Sequence, residues 1–183
     1  MKRTLTILIL FFVTTTYFSQ EKTKVEEVGI NLYNFQNYGV HYKIGDGTSM
    51  WRFRLMHRRI NIESDRITIP ENKSFNLSLA IGREKRTELA PSFYFVKGLE
   101  LFSYYTYYQG QYWLSSSNTS NINIGVGVSG IVGCRYSIND KFYAGAELLP
   151  SIIYNTNKYS GQSVSNLNLS FGSSALLSFG FNF

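Results

Sequence analysis

The chain has one cysteine, Cys134, three prolines and, past its first residues, no long apolar run. A single cysteine excludes an internal disulfide, and no cysteine follows the N-terminal leader to carry a lipid anchor. Without a stretch of roughly 18 apolar residues no helix can span a membrane; mean hydropathy is only −0.13. No tract is long enough or biased enough for a linker, and length alone fits one domain of 183 residues. Carboxylates are outnumbered, 12 Asp and Glu against 18 Lys and Arg, for a net charge of +6.

The N-terminus reads as a leader peptide. Met1-Lys2-Arg3 is basic, Leu5 to Val13 is a short apolar run, and Thr14 to Gln20 is polar. Cleavage beside Gln20 removes residues 1–20 and leaves 21–183 as the mature domain. Lys2 and Arg3 go with the leader, taking the net charge from +6 to +4. An exported basic chain meets lipid phosphate rather than nucleic acid. An export leader with no later helix leaves two outcomes, a soluble secreted protein or a membrane protein made of strands.

Aromatics are abundant, 14 Tyr and 14 Phe, and strand periodicity runs throughout. The last stretch is the clearest. In Leu167 to Phe183 one parity holds Leu167, Leu169, Phe171, Ser173, Ala175, Leu177, Phe179, Phe181 and Phe183; the other holds Asn168, Ser170, Gly172, Ser174, Leu176, Ser178, Gly180 and Asn182. Alternate residues of a strand face opposite ways, so one face is greasy and the other small and polar. The same alternation marks strands near 27–33, 38–44, 50–63, 75–82, 89–108, 121–136 and 142–152, eight in all. Gly45-Asp46-Gly47-Thr48 and Asn139-Asp140 predict tight turns, and Arg83 to Thr87 a charged one. Longer polar loops are expected at about 64–74, 109–120 and 155–166. In strand five, Phe93 and Phe95 keep phase with Leu99 and Leu101 only if Lys97 shares the greasy face, and a bulge near Gly98 would relieve this.

Alternation does not say which face is outside. The second face does: it is Gly, Ser and Asn with Arg52, Arg54, Glu100, Arg135 and Glu147. Rows of small residues relieve crowding inside an eight-stranded tube. Arginine turned to the lipid midplane would cost about 2–4 kcal/mol each. The expected fold is therefore all-β, an eight-stranded antiparallel up-and-down transmembrane barrel with its greasy face outward. Tyr104, Tyr105, Tyr107, Tyr108, Tyr112 and Trp113 suit an interfacial girdle.

Gly130 to Glu147, GIVGCRYSINDKFYAGAE, and Ser178 to Phe183, SFGFNF, resemble the small outer-membrane β-barrel proteins of Gram-negative bacteria. The resemblance implies residence in the outer membrane and partners of outer-membrane lipid and lipopolysaccharide. It also implies that Phe179, Phe181 and Phe183 form an insertion signal read by the barrel-assembly machinery.

Candidate chemistry is sparse. Gly125 to Gly130 matches G-x-G-x-x-G, but a dinucleotide site needs a helix to open there, and the following residues alternate as a strand. If Ser137 pairs with Tyr143, Arg135 lies opposite Gly145 and diagonal to Glu147, so a lumen charge network of Arg52, Arg54, Glu100, Arg135 and Glu147 is expected. His41 falls on the lumen face. His57 falls on the other, near Arg58 and Arg59, which are candidates for gripping lipopolysaccharide phosphate. Neither histidine has a companion at metal-ligand spacing, so no metal and no cofactor are expected. The leading expectation is a non-enzymatic barrel whose outer loops carry structural or surface-recognition roles, with an extracellular or envelope protein as partner. A small-molecule binding or transport barrel is the alternative, and a lipid-modifying enzyme working through His57 the third.

Overall fold

The computed structural model describes residues 24–33, 37–63, 72–111, 118–159, 162–170 and 175–183; side chains are described throughout these except at 57–63, 72–73, 110–111, 118–119 and 159. The leader at 1–20 lies outside the described residues, as do Tyr112 and Trp113. Ten strand segments are present among them: β1 Val25–Tyr33, β2 Asn37–Gly45, β3 Ser49–Glu63, β4 Asn72–Ala90, β5 Phe93–Gln111, β6 Asn118–Ser137, β7 Phe142–Leu148, β8 Ser151–Tyr159, β9 Gln162–Ser170 and β10 Ala175–Asn182.

They make eight staves. β6 pairs with β7 over Val132 to Ser137 and with β8 over Asn121 to Ser129, so β7 and β8 are one stave interrupted at Leu149-Pro150. β9 and β10 pair with β8 and β7 in the same way and form the last stave. Proline cannot donate to a ladder, and Pro150 accounts for the interruption. β10 then pairs antiparallel with β1, from Glu27↔Asn182 to Tyr33↔Leu176, and the barrel closes.

The stagger of that closure follows from the pairing. Starting at Arg86 in β4 and stepping across paired residues leads through Val96, Gly133, Glu147, Leu176, Tyr33, Asn37 and Arg58, and returns to β4 at Asn76. One circuit has climbed ten residues, from 86 to 76. With ordinary strand rise and spacing, a shear of that size on eight strands tilts them by about 40°. The reversals at 46–48, 91–92 and 138–141 share one rim. The turn at 46–48 is held by Asp46 Oδ1, which accepts from the amides of Thr48 and Ser49 at 2.9 and 2.7 Å. Asn139 Oδ1 does the same for Lys141 and Phe142 at 2.9 and 2.8 Å. These are Asx turns.

The inside and outside are the reverse of a soluble protein's. Leu101, Leu79, Ile30, Val126 and Phe179 are 45–60% exposed, whereas Arg52, Glu84 and Glu27 are at 0–1%. Near the short-turn rim Tyr136, Phe142, Phe181 and Phe183 form an aromatic edge on the outer face. Inside, glycines make room for rings: a Cβ at Gly180 would run into the Tyr143 ring, and one at Gly125 into the Tyr104 ring.

Four sequence expectations need correction. Arg83 to Thr87 is not a turn; β4 runs on to Ala90. The chain reverses at Pro91-Ser92, where Ser92 has φ 64°. Proline first and positive φ second is the pattern of a type II turn, with serine where glycine is usual. There is no bulge near Gly98, because β4–β5 pairing is continuous through Lys85↔Lys97 and Glu84↔Gly98; Lys97 sits on the outer face, exposed. The described parts of 109–120 and 155–166 are ladders, paired as far as Gln111↔Asn118 and Tyr159↔Gln162. Finally, the tyrosine cluster is split by strand parity: Tyr105 is on the outer face and Tyr104 lines the lumen.

Replacing Leu101 by arginine tests the assignment of faces. On the lipid side the substitution is expected to lower unfolding free energy in lipid vesicles by about 2–4 kcal/mol, read by urea titration of tryptophan fluorescence. Unchanged stability would place that face away from lipid.

Candidate functional site: an ion network filling the lumen

Strand parity turns one file of polar residues inward on each stave, and closure brings the files together. Among the described residues nine charged side chains meet, the cations Lys43, Arg52, Arg54, Arg86 and Arg135 and the carboxylates Glu27, Glu84, Glu100 and Glu147. Each has at most 7% of its side chain exposed.

Two glutamates are the hubs. Glu84 accepts from Lys43 Nζ at 2.9 and 3.2 Å, from Arg52 at 3.0 Å and from Arg86 at 2.6 and 2.9 Å. Glu27 accepts a forked pair from Arg86 at 2.6 and 2.8 Å and both its oxygens accept from Arg135 Nη1 at 2.7 Å. Arg52 carries the chain upward, donating to Glu147 at 2.9 Å and lying 3.5 Å from Glu100. Arg54 donates to both oxygens of Glu100 through Nε and Nη2. Tyr143 packs beneath the Arg135 guanidinium, 3.6 Å from ring centre to Cζ, a cation–π contact in a dry setting.

A neutral row lies alongside. His41 Nδ1 is 2.8 Å from Asn31 Oδ1, and its Nε2 is 2.5 Å from the Tyr143 hydroxyl. Both ring nitrogens of His41 are thus engaged, one by Asn31 and one by Tyr143.

Above Arg54 the lumen widens into a cavity of about 120 Å³, lined by Tyr33, Arg54, Asn76, Ser78, Tyr104 and Ser129 among others. It has room for a few waters. Below it, the ions and Met50, Tyr143 and Leu176 occupy the bore.

All five residues of the expected network, Arg52, Arg54, Glu100, Arg135 and Glu147, are buried in the lumen. Their partnerships differ from those expected. Ser137 pairs with Tyr143 and Arg135 lies opposite Gly145, yet Arg135 bonds Glu27 and, at 3.1 Å, Asn182. Glu147 is held instead by Arg52 and, at 3.8 Å, by Lys43. Glu84 and Arg86 are absent from the expected network because their segment reads as a turn. Continuing the alternation from Ile81 finds them, since Gly82, Glu84 and Arg86 share one parity. Phe179 and Phe181 lie on the outer face near the rim and Phe183 is 63% exposed. Arg58 pairs in register with Asn37 and Asn76, but the side chains of His57, Arg58 and Arg59 lie outside those described. Among the described residues no group of three His, Cys, Asp or Glu is placed to hold a metal.

An apolar exterior, a closed ladder and an ion-filled bore together define a small eight-stranded barrel of the outer-membrane type. Comparison with solved structures agrees on the fold. A major outer membrane protein from Thermus thermophilus superposes with a TM-score of 0.51 at 9% identity, over 88% of this chain and 100% of that one. The N-terminal β-barrel domain of Pseudomonas aeruginosa OprF (TM-score 0.42, 14% identity, 90% and 100% coverage) and Neisserial surface protein A (0.43, 12%, 87% and 93%) are also similar. No family model and no curated protein matches the sequence.

Removing Glu84 takes a carboxylate from Lys43, Arg52 and Arg86 together, and breaking a buried pair costs about 3–5 kcal/mol. Glu84→Ala is expected to lower unfolding free energy by that amount, while Glu88→Ala, at the exposed end of the same strand, changes it by about 0.5 kcal/mol or less. Equal effects in urea unfolding would show that the network contributes nothing to stability.

Proposed function

We propose that the mature chain resides in an outer membrane, does not conduct, and works through its outer hairpins as a structural or surface-recognition protein without enzymatic activity. The observation that carries this reading is the filled bore: nine paired ions occupy the lumen from Arg54 downward, and eight strands leave just enough room for side chains. The longest connections, between Glu63 and Asn72 and between Gln111 and Asn118, join strands at the opposite rim, which supports placing the 46–48 rim in the periplasm. Export by the residues 1–20 leader and insertion guided by Phe179, Phe181 and Phe183 belong to the same reading, as do contacts with lipopolysaccharide through Arg58 or Arg59.

Recognition is assigned to the outer end because the strands continue there as paired hairpins. β5–β6 reaches Gln111↔Asn118, and β8–β9 reaches Tyr159↔Gln162. The β8–β9 hairpin carries Asn155, Thr156, Asn157, Ser165, Asn166 and Asn168, hydrogen-bonding groups without charge, and β9 is exposed over 162–169. A paired hairpin loses little conformational entropy on binding, which suits a rigid polar surface addressed to an extracellular or envelope protein or a glycan.

Planar-bilayer recording tests the sealed bore: barrels that show the heat-dependent gel shift of the folded state are expected to give no conductance steps. Steady ohmic steps would favour the transport alternative. Replacing residues 156–165 by a two-residue turn tests recognition. Binding of nanodisc-held barrels to a glycan and matrix-protein array is expected with the full hairpin and lost with the short one; identical profiles would refute a role for β8–β9.

A further inference from the structure

The outer face carries three cations that the lumen network does not use. Arg83 and Lys85 on β4 and Lys97 on β5 are all exposed, and Lys85 lies directly opposite Lys97 in the ladder. Like charges directly opposite on one face are unfavourable. Neither lysine has an ion pair among the described residues, and the outer-face positions around them are neutral: Ser49, Trp51, Thr87, Phe95, Leu99 and Val132. Each lumen cation of the network has a carboxylate; among the described residues these two have none.

Their level is specific. Lys85 pairs with Ser49, the first residue of β3 beside the 46–48 turn, so the cluster lies beside that turn, while β4 and β5 run on past it to the Pro91-Ser92 turn. Immediately above it the wall is apolar, with Ile81, Leu99 and Leu101 at 44–65% exposure. The three cations border a groove of about 600 Å³ whose floor includes Leu99, Gly130 and Val132. Gly130 occupies an outer-face position between Val128 and Val132 without adding a side chain. Arg83 is pinned, with Nε donating to Ser49 Oγ at 3.0 Å and the guanidinium 5.7 Å from the Trp51 ring. Among the described residues its four remaining N–H donors have no partner.

We propose that Arg83, Lys85 and Lys97 form a binding site for an anionic glycerophospholipid of the leaflet at the short-turn rim. Its phosphate bridges the two lysines and accepts from Arg83, and an acyl chain lies along Leu99, Gly130 and Val132. An amphipathic groove, cationic at the interface and apolar toward the bilayer centre, matches that ligand end for end. Charge-assisted contacts to phosphate oxygens offset the Lys85–Lys97 repulsion, and the cost of a lysine near the membrane edge is small. This assignment rests on the barrel being embedded in a bilayer.

Native mass spectrometry tests it, with the purified full-length mature barrel in mixed micelles holding equal phosphatidylglycerol and phosphatidylethanolamine. The wild type is expected to retain phosphatidylglycerol preferentially. The preference is expected to fall roughly fivefold for each lysine removed, so Lys85→Gln/Lys97→Gln abolishes it, while Lys158→Gln at the opposite end leaves it intact. No preference in the wild type, or an unchanged one in the double variant, overturns the site. Loss of the adduct on adding inorganic phosphate also overturns it, because a bare anion site has no use for the acyl groove. The heat-dependent gel shift is scored on every variant, and insertion into vesicles is scored separately. A barrel that does not insert refutes the membrane reading; one that inserts without lipid preference refutes only this site.

Discussion

The pairing of β10 with β1 is the constraint on which the rest of the structure depends. Those seven paired residues, Glu27↔Asn182 to Tyr33↔Leu176, turn a ten-segment ribbon into a tube. In lipid no water can satisfy a free ladder edge, so closure is the condition for spanning at all. Closure also sets the shear of ten residues, and the shear decides which side chains meet across the bore. Glu27 reaches Arg135, 108 positions away, and Arg86, 59 positions away, only because β1 meets β10 in this register. A slip of one residue would send Glu27 to the lipid and Val28 to the lumen.

The ion network is the second consequence. Five cations face four carboxylates, and the central groups are shared. Glu84 serves Lys43, Arg52 and Arg86; Arg52 in turn serves Glu84, Glu100 and Glu147. Sharing is what makes the arrangement tolerable, since isolated buried ions are costly and paired, hydrogen-bonded ones approach neutrality. The network draws on β1, β2, β3, β4, β5, β6 and β7, so it ties nearly every stave to its neighbours across the diameter as well as along the ladder. The same filling that stabilises the tube removes the path a solute would need.

Local features are legible in the sequence, and global ones are not. Alternation locates every stave, and the abundance of Gly, Ser and Asn on one parity identifies the inside. The Asn139-Asp140 turn even yields the register that sets Arg135 opposite Gly145. Partnerships across the lumen are not legible, because they depend on the shear, and no single strand or hairpin encodes it. Local reasoning therefore matches Arg135 to Glu147, its neighbour along the sheet, when closure offers it Glu27. The outer hairpins are obscured for a different reason. Asn, Ser and Gln have low strand preference and read as loop, yet β8 and β9 pair in register from Ser151↔Ser170 to Tyr159↔Gln162.

The run Arg83-Glu84-Lys85-Arg86 concentrates the whole problem in four residues. Four successive charges look like a solvated turn, because a single environment rarely accepts them in any other way. A strand divides them between two environments at a spacing of two residues. Glu84 and Arg86 enter a bore where carboxylate and guanidinium find partners at 2.6 Å. Arg83 and Lys85 emerge on the outer face, among neighbours that are apolar or neutral apart from Lys97. The glutamate goes inward, so the outer face of the run keeps only positive charge. That division leaves the interior nearly balanced and this patch of the outer face basic, and parity alone produces both.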